Sequence, residues 1–335
     1  MKACNIAILG ATGAVGQEML KVLEEYDIPV NILRPLASAK SAGGTVKFHG
    51  KDVVIEEATD ESFEGMDYVL GAVKNGMSKR FAPAIVKSGA VYIDNSSAFR
   101  MDPEVPLIVP EVNGGDAFNH KGIIANPNCS TIITMMAVAA LSAISPIRSM
   151  VACTYQAVSG AGQGGLLELE DQMKAIAEGK PIESKVFPTQ IAANVIPFIG
   201  GMLDNDYTDE EMKMQNEGRR ILHLPELKVT CTCVRVPVMR SHSIAVTLRT
   251  ERKISVAEAE RAIGAFPGVK LIHNYQGRCY PTPLDTSNQD LVWVGRIRDD
   301  LTDENGLTLW CCGDQIRKGA AANAVQILKL LNEER

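Results

Sequence analysis

Basic charge is in short supply in this chain of 335 residues, where 34 Lys and Arg face 40 Asp and Glu for a formal net charge of −6. With no basic excess and no Lys/Arg cluster, neither sequence-independent nucleic-acid binding nor adsorption to an anionic membrane surface is expected. No apolar run is long enough to span a bilayer, and the N-terminal MKACNIAILGATG lacks the apolar length and cleavage pattern of a signal peptide. The chain therefore reads as soluble and cytoplasmic. Its eight cysteines include no C-x-x-C pair, which argues against a metal site. A disulfide framework is not expected in so long a chain without a secretion signal. Internal repeats and low-complexity tracts are absent too. Histidine is scarce: His49, His120, His223, His242 and His273 are the only imidazoles available for chemistry.

What is present is a hydrophobic fraction of 46%, enough at this length for two domains. Residues 4 to 36 read as strand (CNIAIL), glycine turn (GATGAVG), helix (QEMLKVLEEY) and strand (VNILRPLA), one βαβ unit. Two more apolar runs, DYVLGAV and AVYIDNS, enclose a helix at KRFAPAIVKSG, so a parallel sheet covered on both faces is expected over residues 1–128. Beyond residue 128 the character changes. VACTYQAVSGAGQGG is a strand entering a glycine-rich loop and LLELEDQMKAIAEG a helix. The β-branched runs KVTCTCVRVPV, SIAVTLRT and DLVWVGRIRDD, with a helix at SVAEAERAIGAF, suggest a mixed or antiparallel sheet. The expected fold class is α/β: an N-terminal Rossmann-like dinucleotide-binding domain (1–128), then an α+β domain with a mixed sheet (129–314). An alanine-rich amphipathic helix within 315–335 is expected to pack back on the first domain.

Gly10, Gly13 and Gly16 stand between the first strand and first helix, where a dinucleotide fold holds a pyrophosphate. There glycine permits a tight turn and close backbone approach, and the helix N-terminus favours the anion. The spacing is G-x-x-G-x-x-G, not G-x-G-x-x-G, so position more than motif carries the reading; a ligand-free glycine turn is the alternative. An NAD site usually places an acid about 20 residues further on, at the ribose 2′-hydroxyl. The segment LASAKSAG here has none. Ser38, Lys40 and Ser41 suit a 2′-phosphate instead, and the preferred cofactor is NADP, unless these residues form an ordinary solvated loop.

ANPNCSTI places Cys129 between a strand (GIIA) and a helix expected to begin near Ser130. Partial positive charge and free N–H groups at a helix mouth favour a thiolate and can bind an oxyanion. Beside a nicotinamide site, such a thiol suggests aldehyde oxidation through a thiohemiacetal and an acyl-thioester. Any one of eight cysteines could equally be a small core residue. His242, in RVPVMRSHS, is the most suggestive base, although a lone histidine is more often structural. Arg235 and His242, seven apart, would face opposite ways on one continuous strand, and Pro237 is expected to break it. Arg100 follows a strand end, where ligands gather in open α/β sheets. In YTDEEMKMQNEG, Thr208 and Glu211 form a capping box, and Glu210 and Lys213 share a helix face, for which a solvent-exposed ion pair is the plain reading.

GATGAVG (10–16), SSAFR (96–100), NPNCST (126–131), QAVSGAG (156–162), EEMK (210–213), RVPVMRSH (235–242) and the terminal DQIRKGAAAN, in that order, resemble the aspartate-semialdehyde dehydrogenase family along essentially the whole chain. The resemblance implies that Cys129 is the acyl-thioester nucleophile and His242 the acid/base group, with Gln156 holding the aldehyde. It implies Arg235 for the substrate carboxylate, Glu210 for its ammonium, and Arg100 with Lys213 for inorganic phosphate. Thr12, Gly13, Ala14, Val15, Lys40, Ser41, Ser159, Gly160 and Gln315 would contact NADP. The implied reaction is NADPH-dependent conversion of L-4-aspartyl phosphate to L-aspartate 4-semialdehyde and phosphate, feeding lysine or diaminopimelate, methionine and threonine synthesis. A homodimer formed through the second, catalytic domain is implied as well.

The chemistry of these residue types agrees. A planar guanidinium suits a carboxylate, and two cations suit a phosphate of about two charges. One departure is Lys40, a position often arginine in the family; lysine loses bidentate bonding to the 2′-phosphate, so weaker binding with NADP preference kept is expected. N-Acetyl-γ-glutamyl-phosphate reductase is the nearest enzyme alternative, but its thiol is followed by Tyr-Pro-Thr, not Ser130-Thr131. A non-enzymatic nucleotide-sensing module is the other; it would leave Cys129 inert.

Overall fold

The computed structural model describes residues 1–273, 276, 277 and 279–334, so Arg335 of the expected terminal helix lies outside the described residues. The chain forms two compact units, one of Met1–Asn128 with the stretch from Ala320 onward, the other of Cys129–Gly319.

In the first unit, β1 (Cys4–Leu9), α1 (Ala14–Glu25) and β2 (Val30–Ala37) make the expected βαβ. A hairpin of β3 (Thr45–Phe48) and β4 (Lys51–Val54) and the short β5 (Glu56–Glu57) follow. The chain then runs through β6 (Tyr68–Gly71), α2 (Asn75–Lys87), β7 (Val91–Asp94), α3 (Pro110–Asn113) and β8 (Ile123–Ala125). The sheet is wholly parallel in the order β5-β2-β1-β6-β7-β8. Alternation along β1 splits its core in two: Ile6 and Ile8 pack with Met19 and Leu23 of α1, while Ala7 and Leu9 pack with Val69, Phe81 and Tyr92. Because β2 and β6 flank β1, the winding reverses at β1, and the crevice beyond its carboxyl end is where such sheets bind ligands.

The second unit opens with α4 (Cys129–Ile144), apolar almost all round and accordingly buried, packing on neighbouring helices and on the sheet. It continues with β9 (Ile147–Gln156), α5 (Gln163–Glu178), α6 (Asp209–Ile221), β10 (Lys228–Arg235), β11 (His242–Thr250), α7 (Val256–Ala265), β12 (Val269–Ile272), α8 (Pro283–Thr286), β13 (Val292–Asp299) and β14 (Gly306–Gly313). The mixed sheet has the order β10-β9-β11-β14-β13-β12, with β9 parallel to β10 and antiparallel to β11.

The terminal helix departs from expectation. Arg317–Ala321 is a π turn, and only α9 (Ala322–Glu333) is α-helical. Asp314 captures the N–H groups of Ile316 and Arg317 with its side chain and that of Gly319 with its carbonyl, which widens this turn. In the first unit, Val325 and Leu328 of α9 join the Ile6–Ile8 side of the core. Among the described residues, no helix is long and apolar enough to cross a membrane, and no cluster of His, Cys, Asp and Glu could hold a metal ion.

Candidate active site

The glycine loop of the first unit is built for its backbone. Gly10 has φ +93°, and a Cβ there would sit 2.5 Å from the Ala72 carbonyl oxygen; a Cβ on Gly16 would sit 2.3 Å from that of Gly10. Both glycines are demanded by packing. Gly13 is different: it caps α1 without a side-chain bond, and its nearest foreign atom would be 3.5 Å from a Cβ. The N–H groups of Gly10 and Ala11 both donate to Leu36 O at the end of β2, which ties the loop beside the segment that follows. Thr12, Gly13 and Ala14 are exposed and Val15 half-buried, while Ser38 and Lys40 are exposed and Ser41 half-buried. An open helix N-terminus without an acid in its first turn, next to two hydroxyls and an ammonium, fits a dinucleotide carrying a 2′-phosphate.

Arg100 follows the carboxyl end of β7. It is buried, its Nε donating to Asn126 O at 2.9 Å and its Nη2 to Asn95 O at 2.7 Å. These bonds hold the NPN segment, where Asn126 also bonds Asn95 and Asn323.

In the second unit Cys129 is itself the first residue of α4, one position earlier than expected, and it is half-buried. Gly319 packs against it so closely that a Cβ there would stand 2.9 Å from the Cys129 Cβ and 3.4 Å from that of Gln315. Gln315 accepts a bond from Ser241 N–H at 2.8 Å and donates to Ser159 Oγ. Gln156 ends β9, and its amide donates to Ser130 Oγ at 2.8 Å and to Glu210 Oε1 at 3.2 Å. The capping box of α6, Thr208 with Glu211, forms as expected, and Glu211 also accepts the Cys233 N–H, fastening the helix to β10. Glu210 and Lys213 pair at 2.8 Å, with Asp209 at 3.2 Å from the same ammonium. That pair is largely covered rather than solvated: the Glu210 side chain keeps only 12% of its exposure.

Arg235 and His242 do not share a strand. Arg235 ends β10 and His242 begins β11, with Pro237 in the segment that separates them, the break expected there, and β9 lies between those strands in the sheet. The residue after β9 joins them: Ala157 N–H donates to His242 Nδ1 at 3.0 Å, and Ala157 O accepts from Arg235 Nη1 at 2.7 Å. Gly160 fills the space beside both, since a Cβ on it would be 2.7 Å from Arg235 Nη1 and 3.4 Å from His242 Nε2. A cavity of about 320 Å³, lined by Ala161, Phe187, Ile196, Phe198 and Arg235 among others, is of a size for a small metabolite.

Charge in this cluster is poorly solvated. Burial lowers the Arg235 pKa, and the negative charges of Cys129, Glu210 and Cys233 oppose that shift. Because the attraction is mutual, a thiolate at Cys129 and the buried guanidinium stabilise each other. His242 is fully buried, and burial first, then the Arg235 charge, holds its pKa well below the ordinary imidazole value. Among the described residues its buried Nε2 has no hydrogen-bond partner, an arrangement that costs about 1–3 kcal/mol. Burial raises the pKa of the Cys311 thiol and, to about 12, that of Cys312, and the hydrogen bond with Cys233 raises that of Cys231.

Comparison with known proteins decides the family. The family "Semialdehyde dehydrogenase, NAD binding domain" matches residues 5–120, and "Semialdehyde dehydrogenase, dimerisation domain" residues 138–318. The chain is 49% identical to an aspartate-semialdehyde dehydrogenase of Synechocystis over 329 residues, 98% of this chain and 97% of that protein. It belongs to the aspartate-semialdehyde dehydrogenase family. Another member, from Aquifex aeolicus, is 47% identical over 334 residues, covering 98% of each chain. The crystal structure of aspartate semialdehyde dehydrogenase II from Vibrio cholerae complexed with ASA superposes with a TM-score of 0.97 at 40% identity, covering 99% of both chains.

For this family member the second unit gathers nine of the anticipated residues: Cys129, Gln156, Ser159, Gly160, Glu210, Lys213, Arg235, His242 and Gln315. The first unit holds Gly10, Thr12, Gly13, Ala14, Val15, Ser38, Lys40, Ser41 and Arg100. Two participants were not anticipated. Ala157 acts only through its backbone, which leaves no mark in residue chemistry. Gly319 lies in the quoted GAAAN motif, where a close approach could have been suspected.

Proposed function

We propose that this chain is an NADP-dependent phosphorylating aspartate-semialdehyde dehydrogenase. In the biosynthetic direction it reduces L-4-aspartyl phosphate to L-aspartate 4-semialdehyde and phosphate, supplying lysine or diaminopimelate, methionine and threonine synthesis in the cytoplasm. The observation that carries this reading is near full-length similarity at 41–49% identity to proteins of that name, joined to a thiol, guanidinium and carboxylate gathered in one unit. Cys129 is the nucleophile, and the guanidinium whose charge acts on it steadies the thiolate. Arg235 binds the substrate carboxylate, Glu210 its ammonium, and Gln156, oriented by Ser130, holds the aldehyde. Lys213 and Arg100 receive phosphate.

The backbone from Gly10 to Val15, with Ser38, Lys40 and Ser41, binds the pyrophosphate and 2′-phosphate of NADP, and Ser159, Gly160 and Gln315 complete its contacts. When bound, the nicotinamide supplies the hydride acceptor or donor. The matched dimerisation domain supports a homodimer formed through the second unit. Phosphate-dependent reduction of NADP by L-aspartate 4-semialdehyde tests the reaction. Wild type is expected to be active and Cys129→Ala to lose roughly 10⁴-fold or more in kcat. Equal turnover with and without phosphate, or activity surviving in the variant, would reject it; a better kcat/KM with NAD would reject the cofactor assignment.

A further inference from the structure

We infer that Glu168, in α5, is the positioning residue of the substrate cavity: its carboxylate gathers the backbone of residues 185–187 and so sets the Phe187 ring as the wall beside Arg235. This rests on the reaction proposed above, in which Arg235 meets the substrate carboxylate, and gives a part to a buried acid that the reaction does not otherwise use. Glu168 keeps only 7% of its exposure. Its Oε2 accepts the N–H of Lys185 at 2.8 Å and also that of Val186. Its Oε1 accepts the N–H of Phe187 at 3.3 Å and the side-chain amide of Gln172 at 3.2 Å. Both oxygens are therefore occupied.

The segment needs such an anchor because it belongs to no helix or sheet. Between Gly179, the C-cap of α5, and Ile196 the chain forms neither helix nor strand, so its N–H groups have no ladder to join. Glu168 and Gln172, one turn apart on α5, stand in for one. Gln172 Oε1 accepts the N–H groups of Ile191 at 2.9 Å and Ala192 at 3.0 Å, and its amide donates to the Glu183 carbonyl at 2.9 Å. The far end is tied to the site itself: Ile196 N–H donates to Arg235 O at 2.9 Å, and Arg235 N–H to Ile196 O at 2.8 Å.

Held in this way, Phe187 packs with Val158, Ile191 and Ile196, and its ring centroid lies 5.8 Å from the Arg235 Cζ. Gly165 makes room for the ring, since a Cβ there would stand 3.1 Å from Phe187 Cζ. Phe187 and Arg235 both line the cavity of about 320 Å³, together with Val186 and Ile196. Val186 also lines a second cavity, of about 400 Å³, with Glu168, Gln172 and Glu183. At Val186 the segment thus stands between two hollows, and hydrogen bonds rather than packing place it. An apolar ring over the guanidinium keeps water from that side and strengthens its attraction for a carboxylate entering from the cavity. An amide at position 168 has one acceptor oxygen where four N–H groups use two. Glu168→Gln therefore sets an NH₂ group against backbone or amide N–H and moves the wall away from Arg235.

Steady-state kinetics of the intact enzyme, with L-aspartate 4-semialdehyde, phosphate and NADP varied in turn, test this. Glu168→Gln is expected to raise KM for the semialdehyde roughly 10-fold, while KM for phosphate and for NADP stays within about twofold, since their proposed contacts do not include the segment. Phe187→Ala, which keeps the backbone bonds to Glu168, should raise the same KM by a similar factor, roughly 10-fold. The double variant should exceed the larger single effect by no more than about twofold. An unchanged semialdehyde KM in Phe187→Ala would overturn the proposal, whether or not Glu168→Gln folds. So would factors that multiply in the double variant, or equal rises in all three KM values, the mark of a general loosening. Hydrogen exchange reads the anchor without substrate: amides of residues 185–187 should exchange at least about 10-fold faster in Glu168→Gln, and equal rates would overturn the anchoring. A wild type that fails to oxidise the semialdehyde while that exchange difference holds would instead count against the reaction.

Discussion

The two units of this chain make their sites by opposite means. In the first, an all-parallel sheet ends in a loop whose proposed binding groups are backbone N–H groups at the mouth of α1, and the residues that shape it are those that lack side chains. In the second, a mixed sheet brings buried ionisable side chains to the end of β9, and the backbone of Ala157 serves to hold them. The contrast follows from the tasks proposed for them. A pyrophosphate needs many weak donors in a fixed arc, whereas a reacting carbonyl needs a few groups with altered proton affinity.

Exchanging one cation for another should break the second kind of site most severely. Arg235→Lys keeps the charge but cannot keep both the Ala157 carbonyl and a planar pair for a carboxylate, so kcat/KM is expected to fall roughly 10²–10³-fold, chiefly through KM. Steady-state kinetics check this, and an unchanged KM would separate Arg235 from substrate binding. The first kind of site is expected to separate glycines by purpose. Gly10→Ala meets the Ala72 carbonyl at a positive φ and should cost about 2–4 kcal/mol in denaturant unfolding. Gly13→Ala, with room for its Cβ, should cost under about 1 kcal/mol. Its effect should be on NADP affinity instead, measured by titration.

The smallest effect distinguishes the units by pH. His242 stays neutral when folded, and its pKa is depressed by burial first and then by Arg235. The unfolded chain therefore binds one more proton below the ordinary imidazole pKa. The stabilisation from keeping this ring neutral is complete above about pH 6.5 and declines as pH falls through the window down to the folded pKa, by at most about 1.4 kcal/mol per pH unit. His242→Gln should lack that portion of the slope in unfolding measured between about pH 5 and 7. An identical slope in wild type and variant would mean that the ring does not stay neutral.

Much of this was legible beforehand. The βαβ start, the parallel and mixed sheets and the helix-mouth position of Cys129 follow from local periodicity. The hairpin β3–β4 was missed, its four-residue strands being too short for alternation to register. The π turn before α9 was missed because its cause is how Asp314 binds the N–H groups that follow it. Glu210 and Lys213 were correctly set on one helix face, but spacing could not say that protein rather than water would cover them.

By itself, the sequence determined the βαβ start of the first unit, the glycines at the mouth of α1, and a family whose members it matches over 98% of the chain. These depend on neighbours within a few residues, or on motifs that survive as text. Only the tertiary structure decided that Arg235 and His242 meet, because β9 enters the sheet between their strands and delivers Ala157 to both. It also decided that His242 Nδ1 accepts from the Ala157 N–H. Protonation in a buried site is set by what surrounds the group, and those surroundings come from segments some 80 residues apart: Ala157 is 85 residues from His242 and 78 from Arg235.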